Sequence, residues 1–255
     1  MKHHFIDKYS DLSSPVHRLD PRVKILLAFF GILIIVSEPP AKLPPFALYG
    51  VLLAALLLLS RLPVGFILTR YLFLSPFILL AAIFYPFSLY LSGETQAIFL
   101  QQEALKVAGS IFLKASFSII LLLWLISTEK FHTLLLGFRK LRMPRLVGVI
   151  SALMYSYIFV LWDETLKTTR ARQSRTPGKL RNKKLNVYSN QLAMIFLRSW
   201  ERSKIIHQAM LSRGFSGEFP GMKTLKLKNS DVLFLTGFLL LFLLIRLFTG
   251  FIFTQ

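Results

Sequence analysis

An all-α integral membrane protein, with about five transmembrane helices and a set of basic helices on the cytosolic side, is the fold class this sequence predicts. Three observations predict it. Hydrophobic residues make up 54% of the 255-residue chain and the mean hydropathy is +0.57, against roughly 45–50% apolar residues in an ordinary soluble domain. These residues are gathered into runs rather than scattered: Val23–Val36, Phe46–Ser60, Tyr71–Leu91, Val107–Ile126 and Asp231–Phe253. Charge is partitioned as well. Between Thr128 and Asn229 stand 20 Lys+Arg against 5 Asp+Glu, a net +15 of the chain's +19, and positive charge beside spans marks the cytoplasmic face.

Residues 1–20 are polar and no apolar run begins before Val23, so the first run is expected to be a retained span and not a cleaved leader. Asp20 suits a helix N-cap and Pro21 the first helical position, with Arg22 and Lys24 at the interface where the run enters the bilayer. Glu38-Pro39-Pro40-Ala41-Lys42-Leu43-Pro44-Pro45 makes a turn. The second run ends at Arg61. Both runs are short against the roughly 17–25 residues of a full span, so they borrow flanking residues or meet thin membrane. The nearly neutral stretch Ser92–Lys106 suits the outside, and Val107–Ile126 returns inward. The resulting topology has the N-terminus inside and the C-terminus outside. It divides the chain into 1–127 with four spans, a basic cytosolic region 128–230, and a final span in 231–255.

Within the basic region, Phe131, Leu134, Leu135, Phe138 and Leu141 follow the three–four spacing of one apolar helix face, beside Arg139, Lys140 and Arg142. Pro144 opens a helix from Arg145 to about Arg175, stopped by Pro177-Gly178. Its first half, Leu146–Trp162, is apolar enough for a sixth span, but basic residues on both flanks place it in the interface or against the other spans. After a loop over 179–186, a helix from about Ser189 to Arg213 is closed by Gly214. Each of these two helices ends in an arginine between short motif residues: Ala171-Arg172-Gln173 and Ser212-Arg213-Gly214. A cation is favoured at a helix C-terminus, and an arginine with small neighbours can enter a partner's groove and grip a carboxylate with two hydrogen bonds. Solvated basic faces that bind lipid headgroups are the plainer reading, and it is the one adopted for Arg175, Arg198 and Arg202.

Other chemistry finds little support. There is no cysteine, hence no disulfide and no thiolate ligand or nucleophile. No Gly-x-x-x-x-Gly-Lys-Ser/Thr loop occurs, since Gly178-Lys179 lacks both the earlier glycine and the following hydroxyl. The spans hold no carboxylate pair, and no His/Asp/Glu cluster has metal-ligand spacing. His17, His132 and His207 are isolated, and His3 could chelate nickel or copper only beside a free amino terminus. No catalytic residue, cofactor or bound metal is therefore expected. Nucleic acid is disfavoured because no aromatic–basic motif accompanies the charge. Lys114 lies inside an apolar run; it is either an intramembrane functional group or a side chain that snorkels to the headgroups. Arg246 is read as snorkelling.

Four segments carry a resemblance to a known family: Ser14-Pro15-Val16-His17-Arg18-Leu19-Asp20-Pro21-Arg22-Val23-Lys24, Ser127–Pro144, Ala171-Arg172-Gln173, and Ala209-Met210-Leu211-Ser212-Arg213-Gly214-Phe215. The chain resembles the T component of energy-coupling-factor transporters, the vitamin and metal-ion branch of ATP-driven importers. The stretch Ile6-Asp7-Lys8-Tyr9, together with Ser14–Pro21, looks most like the cobalt-type T components. The resemblance implies a non-catalytic subunit of a prokaryotic cell-membrane transporter. It implies that two cytosolic ATPase subunits dock on the two arginine motifs while a substrate-binding membrane subunit contacts the spans, and that the cargo is cobalt or nickel, with a vitamin as the alternative. Arg172 and Arg213 are then the coupling arginines, with Ala171, Ser212 and Gly214 as small neighbours. Gln173 stands where the first motif would have glycine, and Arg175, one turn on, is a substitute for Arg172. Two other classes stay open: a self-contained transporter or channel, and a membrane-anchored scaffold binding anionic lipid or RNA.

Overall fold

The chain enters its first helix at Asp20. In the computed structural model, which describes residues 14, 16–39, 44–91, 98–175, 184–217 and 227–252, the Asp20 carboxylate accepts the Arg22 N–H at 3.0 Å and Pro21 occupies the first position of α1, Pro21–Val36. This is the cap expected from the sequence. The remaining helices are α2 (Pro44–Ser60), α3 (Val64–Leu91), α4 (Ile98–Thr128), α5 (Phe131–Lys140), α6 (Arg145–Arg175), α7 (Lys184–Ser212) and α8 (Asn229–Ile252). No strand occurs among the described residues. The protein is an all-α, multi-pass membrane protein.

Helix length refines the expected spans. Among the described residues four helices are long and apolar enough to cross a bilayer, over Val64–Phe87, Ala104–Thr128, Arg145–Arg175 and Asn229–Leu247. α1 and α2, with 16 and 17 residues, reach only about 24–26 Å at 1.5 Å per residue, as their short apolar runs foretold. α3 begins at Val64, seven residues before the expected run. Arg70 had disguised those first two turns, and the helix carries it by laying the guanidinium 4.1 Å over the Phe66 ring one turn earlier. α6 also has the length and apolarity to cross, so the basic residues at its ends are what argue for the interface. α7 starts at Lys184, five residues before the expected Ser189.

The helices form two compact units, one built from α1–α5 and α8, the other from α6 and α7. In the first, α4 packs on α1, α2 and α3, while α1 also meets α5 and α8. Its centre holds Trp124, Tyr49, Phe46, Phe242, Leu27 and Leu121, all fully buried, with the Tyr49 and Phe242 rings stacked at 5.8 Å. Gly31 permits this closeness: a Cβ there would stand 3.3 Å from Leu121 Cδ1 and 3.7 Å from the Phe242 ring. Small residues serve the same purpose between membrane helices generally. The polar groups at its centre, Trp124 and Ser60, are partnered, as an apolar surround requires. The Trp124 indole N–H donates to Ser60 Oγ, whose hydroxyl donates to the Leu56 carbonyl at 2.8 Å.

In the second unit α6 and α7 run antiparallel. Their cross-contacts pair Glu164 with Arg198, Thr168 and Thr169 with Gln191, and Arg172 with Tyr188, so that residue numbers rise on one helix as they fall on the other.

Candidate functional site

Arg213 is placed by the way α7 stops. The Phe215 N–H donates to the Met210 carbonyl and the Gly214 N–H to the Leu211 carbonyl, both at 3.0 Å. Gly214 has φ +74°. These are the two bonds and the left-handed residue of a Schellman motif, which makes Arg213 the C-cap and Gly214 the residue after it. A side chain at Gly214 would be strained, so the glycine of this motif has a backbone reason. Ser212, Arg213 and Gly214 are all exposed, and among the described residues no carboxylate pairs with Arg213. The arginine therefore stands on the rim of the helix end with its donors available.

Arg172 is held differently. α6 does not stop beside it but continues to Arg175, and Gln173 lies inside the helix. Ala171 and Gln173 are exposed while Arg172 is half-buried. Its guanidinium lies 4.5 Å over the Tyr188 ring, and its Nε and Nη1 are buried without a hydrogen-bond acceptor. Gln191, one turn beyond Tyr188, donates its amide to Thr168 Oγ1 at 3.2 Å and Thr169 Oγ1 at 2.9 Å. Arg175 is exposed and has none of these supports.

The antiparallel arrangement puts the two arginines at opposite ends of the pair. From Tyr188, which carries Arg172, to Arg213 is 25 residues of α7, or about 37 Å at 1.5 Å per residue. Between them α6 and α7 border a groove of about 1130 Å³ lined by Tyr157, Leu161, Ile206 and Met210 with Arg202 and His207.

Lys114 lies beside the C-terminal end of α1. Its ammonium donates to the Val36 and Glu38 carbonyls, at 3.1 and 2.5 Å, and so closes the C-terminal end of α1, where orphan carbonyls and the negative end of the helix dipole favour a cation. Glu38 in turn accepts the Tyr49 hydroxyl at 2.6 Å. Among the described residues no group of three or more His, Cys, Asp or Glu is gathered as metal ligands.

Comparison with known proteins decides the family. The sequence profile of the cobalt transport protein family, CbiQ, matches residues 12–225. The chain belongs to this family. Among its relatives, an uncharacterized protein of Methanocaldococcus jannaschii is 26% identical over 96% of this chain and 86% of its own. The energy-coupling factor transporter transmembrane protein EcfT of Macrococcus caseolyticus is 28% identical over 87% of this chain and 88% of its own. A putative fused cobalt transport protein CbiMQ of Methanocorpusculum labreanum is 26% identical over 84% of this chain and 37% of its own length. The CbiQ match takes in both arginine motifs and the Asp20-Pro21 helix start.

Three features of this family member escaped the sequence. Tyr188 and Gln191 fell at or beside a presumed loop, and only the true start of α7 brings them against α6. Lys24, expected at the interface, is fully buried against Glu129. A signal for the pair was present: Glu129 is the only acidic residue between Thr128 and Trp162, an isolated acid at the exit of a span in a basic stretch.

Proposed function

We propose that the chain is the transmembrane coupling (T) subunit of an ATP-driven importer of the energy-coupling-factor type. It joins two cytosolic ATPase subunits to a substrate-binding membrane subunit and carries out no catalysis itself. The observation that carries this reading is the separation of Arg172 and Arg213 to opposite ends of one two-helix unit, each with guanidinium donors unpaired among the described residues, in a chain of the cobalt transport family. Two such ends suit two ATPase subunits, one motif each. A bidentate contact at each end would add charge-assisted hydrogen bonds of about 1.5–3 kcal/mol apiece, enough to hold register through a cycle.

In this mechanism the N-terminus and residues 128–230 lie in the cytoplasm of a prokaryotic cell, with the C-terminus outside. ATP binding draws the ATPase subunits together and their grooves carry the ends of α6 and α7. The movement passes along the chain to the spans, which tilt or release the substrate-binding subunit. Cobalt or nickel is the cargo that the family description supports. A vitamin is the second reading, and the names of the relatives called energy-coupling factor transporter transmembrane protein specify no cargo.

Co-purification from detergent-solubilised membranes tests the role. Wild type should retain stoichiometric ATPase subunits at moderate salt, and the double change Arg172→Glu/Arg213→Glu should lose them. Retention by the double variant, or no ATPase beside the wild type, would replace coupling with a diffuse lipid-binding role, which weakens steeply with salt and tolerates loss of either arginine. Uptake of radiolabelled cobalt by cells carrying the whole transporter then tests the cargo.

A further inference from the structure

The two arginines are fixed by different devices. At the second motif the backbone does it: Gly214 adopts φ +74° and Arg213 caps the helix. At the first motif Gln173 stands where that turn would need glycine, and α6 runs three residues past Arg172. A long arginine side chain in mid-turn of an exposed helix would sample many rotamers. Here it is gathered onto another helix instead.

We propose that Tyr188 and Gln191 are positioning residues for Arg172, supplying from α7 the order that glycine supplies at the second motif. This rests on the reading of Arg172 as an ATPase-docking residue. The Tyr188 ring receives the face of the guanidinium at 4.5 Å, and with Nε and Nη1 buried this stacking holds the long side chain in one orientation. The Gln191 amide bridges Thr168 and Thr169, the turn immediately before Arg172, and so sets the rotation of α6 against α7. Tyr188 is itself 50% exposed, more than a core aromatic would be, and its ring is where the cation rests. Arg175 has no such support, which selects Arg172 as the residue of the first motif. Docking at the first motif then depends on the α6–α7 contact, because a residue of α7 holds the arginine of α6.

The test uses the full chain with its co-purifying ATPase subunits, in an Arg213→Ala background so that binding depends on the first motif. Tyr188→Leu should weaken ATPase binding about 2–5-fold, the effect of removing one cation–π contact near the surface. Tyr188→Phe should restore it, since the ring face is kept. Tyr188→Glu, which offers Arg172 a carboxylate within the same chain, should weaken binding as much as Arg172→Ala. With Arg213 intact, so that the second motif still retains ATPase, Tyr188→Leu should change nothing further once Arg172 is alanine, because residues acting through one contact are not additive. A merely structural Tyr188 would weaken binding equally with or without Arg172, and that result overturns the proposal. So does unchanged binding in Tyr188→Leu when Arg172→Ala lowers it. Absence of ATPase subunits from the wild type is a separate pattern, and it removes the docking reading and this inference together.

Discussion

Lys24 and Glu129 are 105 residues apart in the chain, and the Lys24 ammonium donates to the Glu129 carboxylate at 2.5 Å. Both are buried. The contact ties the first turn of α1 to the residue at which α4 has just ended. Two further buried acids add negative potential at Lys24: Asp20, the cap of α1, and Asp231, which accepts the Lys228 N–H at 3.1 Å in the first turn of α8. The start of α1, the end of α4 and the start of α8 thus place three acids around one ammonium group.

Removing one partner of this pair should be far worse than removing both. Lys24→Met leaves a carboxylate buried without its cation, at an expected cost of about 3–5 kcal/mol, whereas replacing both charges with apolar groups is often near neutral. Unfolding midpoints in detergent for Lys24→Met, Glu129→Leu and the double variant check this. Equal loss in all three would mean that the pair is not an electrostatic unit.

Gly214 should matter for conformation rather than for size. Its φ of +74° disfavours a β-branched residue, and nothing lies within 4 Å of a Cβ built there. Gly214→Val is expected to cost roughly 1–2 kcal/mol of local helix-end order. In an Arg172→Ala background it should reduce ATPase retention while leaving the unfolding midpoint of the bundle unchanged. A lowered midpoint with normal retention would contradict the cap argument.

Lys114→Met should act on stability. The change removes two hydrogen bonds from an ammonium to the end of α1, each of a kind that contributes about 1.5–3 kcal/mol. Transport should fall only in proportion to folded protein, and Lys114→Arg should recover part of it. If Lys114→Met folds normally and transport is abolished, Lys114 has a direct functional role in the membrane.

Two glycines in helices should respond with opposite sign. A Cβ at Gly137 would stand 2.8 Å from Ile25 Cδ1 and 3.4 Å from the Pro21 backbone, so Gly137→Ala should destabilise the seat of α5 on α1, by about 1–3 kcal/mol. Gly237 of α8 has open space around it, and Gly237→Ala should stabilise by up to about 1 kcal/mol through helix propensity. Thermal melts of the two variants side by side are the measurement.

What the sequence determined by itself is local or compositional. Apolar runs identified the helices because lipid demands that every backbone group be satisfied within its own segment. Asp20, Pro21 and Gly214 marked helix ends because caps act over two to five residues. The three–four spacing from Phe131 to Leu141 marked α5 for the same reason. Tertiary structure alone decided the partners of the charged side chains. Lys24 looked interfacial until α4 delivered Glu129, Lys114 was ambiguous until the end of α1 came within its reach, and Arg172 acquired Tyr188 only through the antiparallel return of α7. A charge in or near a membrane must find its compensation across space. Which distant group supplies it depends on how helices approach one another, a quantity that no short window of residues contains.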